Sequence, residues 1–95
     1  MRIYLTAIIK AKEEYRTEVL EVLQHMVKET VNEEANELYR LHQSIDDKNH
    51  FIFYEIWKSA EGLAKHNEQP YIKAFGDLID KKLQEKPQIY KTEII

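Results

Sequence analysis

The sequence predicts an α+β domain: a four-stranded antiparallel sheet with its helices on one face. Three observations lead there. Four stretches rich in β-branched and aromatic residues alternate with segments of helical apolar spacing, in the order β-α-β-β-α-β. The turn-forming run Asp46-Asp47-Lys48-Asn49 separates the two middle strands and makes them a hairpin. The second of these strands, Phe51-Ile52-Phe53-Tyr54-Glu55-Ile56-Trp57, is apolar on both alternating faces and carries one carboxylate. A strand with one wet face alternates apolar and polar residues, so both faces of this one are expected to be covered.

Ile3–Ile9 reads as the first strand, and Lys12–Thr30 as a helix. Its stripe is Tyr15, Val19, Val22, Leu23, Met26, Val27 and Thr30 at three- and four-residue spacing. Leu38–Ile45 and His50–Trp57 are the hairpin strands. Ser59 is a suitable N-cap for a short helix over Ala60–Asn67. Pro70 interrupts, and a further helical stretch runs to about Gln84 with Ile72, Phe75, Leu78, Ile79 and Leu83 as its stripe. Pro87 ends it, and Ile89–Ile94 is the last strand. Right-handed crossovers turn this order into a ferredoxin-like fold, a single domain over residues 1–95. One alternating set of the third strand meets the helices. The other stays apolar and uncovered, which predicts a homodimer packed sheet on sheet.

Composition excludes several classes. With 14 Lys and Arg against 17 Asp and Glu, the net charge is −3, and no basic stripe suggests a nucleic-acid partner. Cysteine is absent, which removes thiol nucleophiles, thiolate metal sites and disulfides. Two Gly and two Pro leave no phosphate-cradling glycine loop and no flexible linker. No apolar run approaches the ~18 residues of a membrane span and no signal peptide precedes the first strand, so a cytoplasmic protein is expected. No His and carboxylate pair has metal-ligand spacing, so no metal is expected, and no Ser sits in a nucleophile elbow.

The chemistry-bearing residues each have a plain reading beside a functional one. Glu55 is either a structural carboxylate, bonded to hydroxyl or backbone groups or paired with Arg2, Arg40 or a Lys, or a general base with a raised pKa. Trp57 is a core filler or the wall of an aromatic pocket whose indole N–H holds a substrate oxygen. His42 is a partly exposed strand residue or a dimer-interface hydrogen bond, or else a substrate contact. His25 and His50 are expected to face solvent.

Five segments together resemble a known family. They are Glu33, Tyr39-Arg40-Leu41-His42-Gln43, Glu55-Ile56-Trp57, Leu63-Ala64-Lys65-His66 and Gln69-Pro70-Tyr71. They are similar to the antibiotic biosynthesis monooxygenase domain, a branch of the dimeric α+β barrel proteins. That family includes cofactor-independent quinol and polyketide monooxygenases, haem-degrading oxygenases and an isomerase of autoinducer-2 breakdown. The resemblance makes His66 an acid/base candidate and puts Tyr71 where the family has a second His. The family's Glu-Pro-Gly-Cys turn is Glu33-Glu34-Ala35-Asn36 here, and Asn36 is expected to supply the positive φ of the missing Gly. That variant turn is similar to the isomerase-like branch, whereas Trp57 matches the oxygenases. The first strand has Thr6 and Ala7 where the haem branch has Asn, and His66 stands about one residue early, so haem degradation is disfavoured.

The function this implies is oxidation of a quinol or similar phenolic small molecule. His66 and Glu55 would move protons, and Trp57, Phe53, Tyr54, Tyr71 and His42 would contact substrate. Two alternatives stand beside it. One is an isomerase of a small phosphorylated carbonyl compound, with Lys65, Lys73 and Arg40 as the only cations for a phosphate. The other is a non-catalytic stress or ligand-binding barrel with a side-chain-filled interior.

Overall fold

The computed structural model describes residues 1–95. β1 (Ile3–Lys10), α1 (Arg16–Thr30), β2 (Asn36–Gln43), β3 (His50–Trp57), α2 (Ala60–Asn67), α3 (Pro70–Lys82) and β4 (Gln88–Thr92) follow one another. The strands form one antiparallel sheet in the order β2-β3-β1-β4, the ferredoxin-like topology. No helix is long and apolar enough to cross a membrane.

Local chemistry sets the helix ends. The first helix starts later than its apolar spacing predicts. Tyr15 N–H donates to Lys12 C=O at 2.9 Å, so Glu13–Tyr15 forms a 3₁₀ turn before α1 begins. Ser59 Oγ accepts from Gly62 N–H at 3.1 Å and starts α2 as a side-chain cap. Pro70 opens α3, where its missing N–H costs nothing, and it holds Gln69 extended at ψ 144°. The turn before β2 differs from expectation: no residue has positive φ, Asn36 included. Two tight right-handed turns, Glu33 N–H to Thr30 C=O and Asn36 N–H to Glu33 C=O, reverse the chain instead. The Asn36 amide donates to Leu38 C=O at 3.0 Å, beside a register irregularity that shifts β2 forward to Asn36–Gln43.

Register separates the two faces of the sheet. Leu5, Ala7 and Ile9 of β1, Phe51, Phe53, Glu55 and Trp57 of β3, and Tyr39 of β2 point to the helices and are buried. Val19, Leu23 and Met26 of α1, Leu63 of α2 and Leu78 of α3 close over them. Ile8, Ile52, Tyr54 and Ile56 lie on the far face, outside this core.

The two glycines have opposite surroundings. Gly62 lets α2 meet the turn before β2, because a Cβ there would lie 2.2 Å from Ala35 Cβ. Lys58 N–H, bonded to Ala35 C=O at 2.9 Å, leaves that turn little room to retreat. Gly76 faces open space on α3. Gly62→Ala is expected to destabilise the fold by ~1–3 kcal/mol through overpacking. Gly76→Ala is expected to stabilise it by about 0.5–1 kcal/mol. Urea midpoints check both, and a stable Gly62→Ala variant would contradict the close approach.

Candidate active site

Glu55 stands on β3, on the helix side of the sheet, only 4% exposed. Its one hydrogen-bond partner is the Trp57 indole, whose Nε1–H donates to Oε1 at 2.8 Å. The expected cations are elsewhere: Arg2 pairs with Glu37, and Arg40 is exposed, its register placing it beside Tyr54 on the far face. Burial without a counter-charge raises the Glu55 pKa to about 7. The Trp57 bond works against this rise, and the nearby Glu33 adds to it.

His66 lies near the C-terminus of α2, with its ring buried among aromatic neighbours. Trp57 is tilted against it at a centroid distance of 4.5 Å, and Tyr39 meets it edge-on at 5.5 Å. His66 Nδ1 is 2.8 Å from Glu33 Oε2, and the Tyr71 hydroxyl donates to that same oxygen. Burial lowers the His66 pKa and favours the neutral ring, while Glu33 pulls the other way. With Oε2 acting as acceptor to both the Tyr71 hydroxyl and the ring, the neutral imidazole carries its proton on Nδ1. Nε2 then keeps its lone pair and has no partner within the protein. Tyr71 is held well above the usual phenol range by burial and by its bond to Glu33. Tyr39 is pushed up mainly by burial and then by the charge of Glu55.

Glu55 and His66 share a cavity of about 130 Å³ between sheet and helices. Phe53, Glu55 and Tyr39 border it from the sheet, His66 and Asn67 from α2, and Ile89 from β4. The interior is therefore not filled by side chains. No Lys or Arg borders this cavity. Lys65 faces a separate groove, and Lys73 pairs with Glu68 at the surface, so these cations and Arg40 do not converge on a phosphate. No three His, Asp or Glu side chains are grouped as metal ligands.

The structure thus brings Glu55, His66 and Phe53 to one cavity and separates the other candidates from it. Trp57 is fully buried behind Glu55 and His66 and does not line the cavity. Tyr71 is hydrogen-bonded to Glu33 and does not border the cavity. Tyr54 and His42, expected to contact substrate, do not border the cavity. Strand alternation puts both on the far face, with Tyr54 beside Arg40 and His42 beside Ile52. His50 is half-buried, with an unpartnered Nε2, rather than solvent-facing; exposed His25 stands edge-on to Tyr71 at 6.4 Å. Two residues join the site that the sequence did not nominate, Glu33 and Tyr39. Glu33 carried a signal as the acid before the second strand, and Tyr39 as the residue cross-strand from Glu55. Buried Thr30 lies beside the Tyr39 and Tyr71 phenols, and its hydroxyl lacks a partner of good geometry.

Residues 2–78 match the family model described as antibiotic biosynthesis monooxygenase. The chain belongs to the antibiotic biosynthesis monooxygenase family. "Putative monooxygenase YcnE" of Bacillus subtilis (strain 168) is 36% identical over 73 residues, 77% of each chain. Rv0793 of Mycobacterium tuberculosis superposes with a TM-score of 0.93 at 17% identity, covering 100% of this chain and 96% of that one. PA3566 of Pseudomonas aeruginosa has a TM-score of 0.93 at 22% identity, covering 99% and 94%. These two structures share the fold, and family membership supports a monooxygenase-like function.

Glu55 makes stability depend on pH. Between its ordinary 4.5 and about 7, the unfolded chain has lost this proton and the folded chain keeps it. Its contribution is therefore complete below pH 4.5 and is lost as pH rises through 7, a change of about 3 kcal/mol. Glu55→Gln keeps an acceptor for Trp57 without the charge. Relative to the parent, it should be more stable at pH 8 and lose that advantage at pH 4.5. Urea titrations of both proteins across this range check it; a constant difference would refute the burial argument.

Proposed function

We propose that this family member is a cofactor-independent monooxygenase acting on a one-ring quinol or similar electron-rich phenol. The observation that carries the reading is a small, mostly apolar cavity bordered by two protonatable groups, Glu55 from the sheet and His66 from α2. The apolar wall around Phe53 suits an aromatic ring. Neutral His66, with Nε2 unpartnered, suits removal of a phenolic proton. The phenolate reduces O2 directly: a quinol and O2 become a hydroxyquinone and water, and the substrate supplies all four electrons. The protein contributes orientation, exclusion of water and proton transfer. Glu55, with a pKa near 7, can give a proton to the reduced oxygen and take one back.

The volume also bears on substrate size. About 130 Å³ is below the ~300–1,000 Å³ common for ligand pockets, which favours a single ring and leaves no room for a porphyrin. The isomerase reading lacks a cation at the cavity. In this proposal the protein works as a homodimer. Ile8, Ile52, Tyr54 and Ile56 give the far face an apolar surface that a second sheet would bury.

Protein free of metal and flavin should consume O2 with one-ring quinols, and His66→Ala should slow this by roughly 100-fold. An oxygen electrode reads both rates. No uptake across a quinol panel, or equal rates for the two proteins, would overturn the assignment. Ile56→Lys should convert dimer to monomer in light scattering after gel filtration; a monomeric parent protein would end the dimer reading.

A further inference from the structure

The two protonatable groups on the cavity differ in where their hydrogen bonds lead. Glu55 is bonded to the Trp57 indole, a donor that passes nothing on, in the fully buried core. His66 is bonded to Glu33, which is half-buried and reaches the surface. There Glu33 borders a second, wider hollow of about 390 Å³ between the turn before β2 and the start of α2. Glu34, Lys58 and Lys65 border the same hollow and make its lining polar. Glu33 is thus the one carboxylate that touches both the ring in the cavity wall and the open groove. The cavity's own mouth, beside exposed Asn67 and Ile89, is the side a bound ring would occupy.

We propose that Glu33 is a positioning and proton-relay residue that acts through His66, exchanging protons between the substrate cavity and solvent in the groove. When His66 Nε2 takes a proton from a substrate hydroxyl, the Nδ1 proton moves to Glu33 Oε2 and leaves to water. The path runs in reverse when Nε2–H protonates the reduced oxygen: Glu33 regains a proton from the groove and returns it to Nδ1, which restores the starting tautomer. The Tyr71 hydroxyl on the same Oε2 holds the carboxylate in place through both transfers. Other ionisable groups around the ring are Tyr39 against its edge, Glu55 beyond Trp57, and His25 beyond Tyr71.

The turnover consequence rests on the monooxygenase reading; the tautomer consequence does not. Nitrogen-15 NMR of the imidazole should show the Nδ1–H tautomer in the parent protein. Glu33→Gln should admit the Nε2–H tautomer and move the His66 titration further below its ordinary value. Glu34→Gln, in the same groove but away from the ring, should change neither. With a quinol, Glu33→Ala should lose roughly 100-fold in rate. Formate entering from the groove should restore at least tenfold of this, which a merely structural role for Glu33 would not allow. Circular dichroism confirms that each variant is folded, and Glu33→Gln serves if Glu33→Ala is not. An unchanged tautomer and titration in Glu33→Gln overturns the relay whatever the turnover does. A parent protein that shows the tautomer shift on Glu33→Gln but oxidises no quinol leaves Glu33 as the partner of His66 and overturns the quinol reading alone. Lost turnover that formate does not restore overturns the relay and leaves only positioning.

Discussion

Trp57 closes β3 where three parts of the chain meet. It pairs with Ile3 of β1 on one side and Asn36 of β2 on the other, and its ring lies against His66 of α2. Its N–H is also the one protein donor to Glu55. A tryptophan buried to this degree supplies a large apolar surface and needs a partner for its N–H. Glu55 is that partner, so one side chain seals the core and fixes the orientation of a carboxylate.

The arrangement keeps two acid–base groups close while giving them different environments. Glu55 has no cation and holds its proton near neutral pH because burial disfavours its charge. His66 stays neutral for the same reason, yet its Nδ1 is tied to Glu33. Desolvation therefore acts on both groups in opposite senses, raising the Glu55 pKa and lowering that of His66.

Much of the fold was legible in the chain. His50–Trp57 and the Ser59-capped helix over Ala60–Asn67 have the predicted boundaries, because turn residues, a capping hydroxyl and a proline are local signals. The apolar spacing of the first helix continues through Tyr15, but the backbone there closes a 3₁₀ turn, so α1 starts later than the spacing predicts. The motif that Asn36 replaces predicts a left-handed conformation there. Two right-handed turns make the reversal without one. In the site, alternation along β3 placed Phe53, Glu55 and Trp57 on one face, and that much needed no structure. Tyr54 and His42 belonged by the same rule to the other face, and their chemistry did not outweigh it.

Periodicity, caps and turn residues are properties of neighbouring positions, so the amino-acid sequence by itself determined the β-α-β-β-α-β order, the two-sided third strand and the family. It also singled out Glu55 and His66. Tertiary structure alone decided what those two groups touch. Glu33 and His66 are 33 positions apart and Glu33 and Tyr71 are 38 apart, and no local pattern ties them together. Trp57 read as either core filler or pocket wall, and packing placed it in the core behind the cavity, against Glu55 and His66. Side-chain pairing across a sheet and a helix layer depends on three-dimensional packing, and the proton chemistry of this site depends on that pairing.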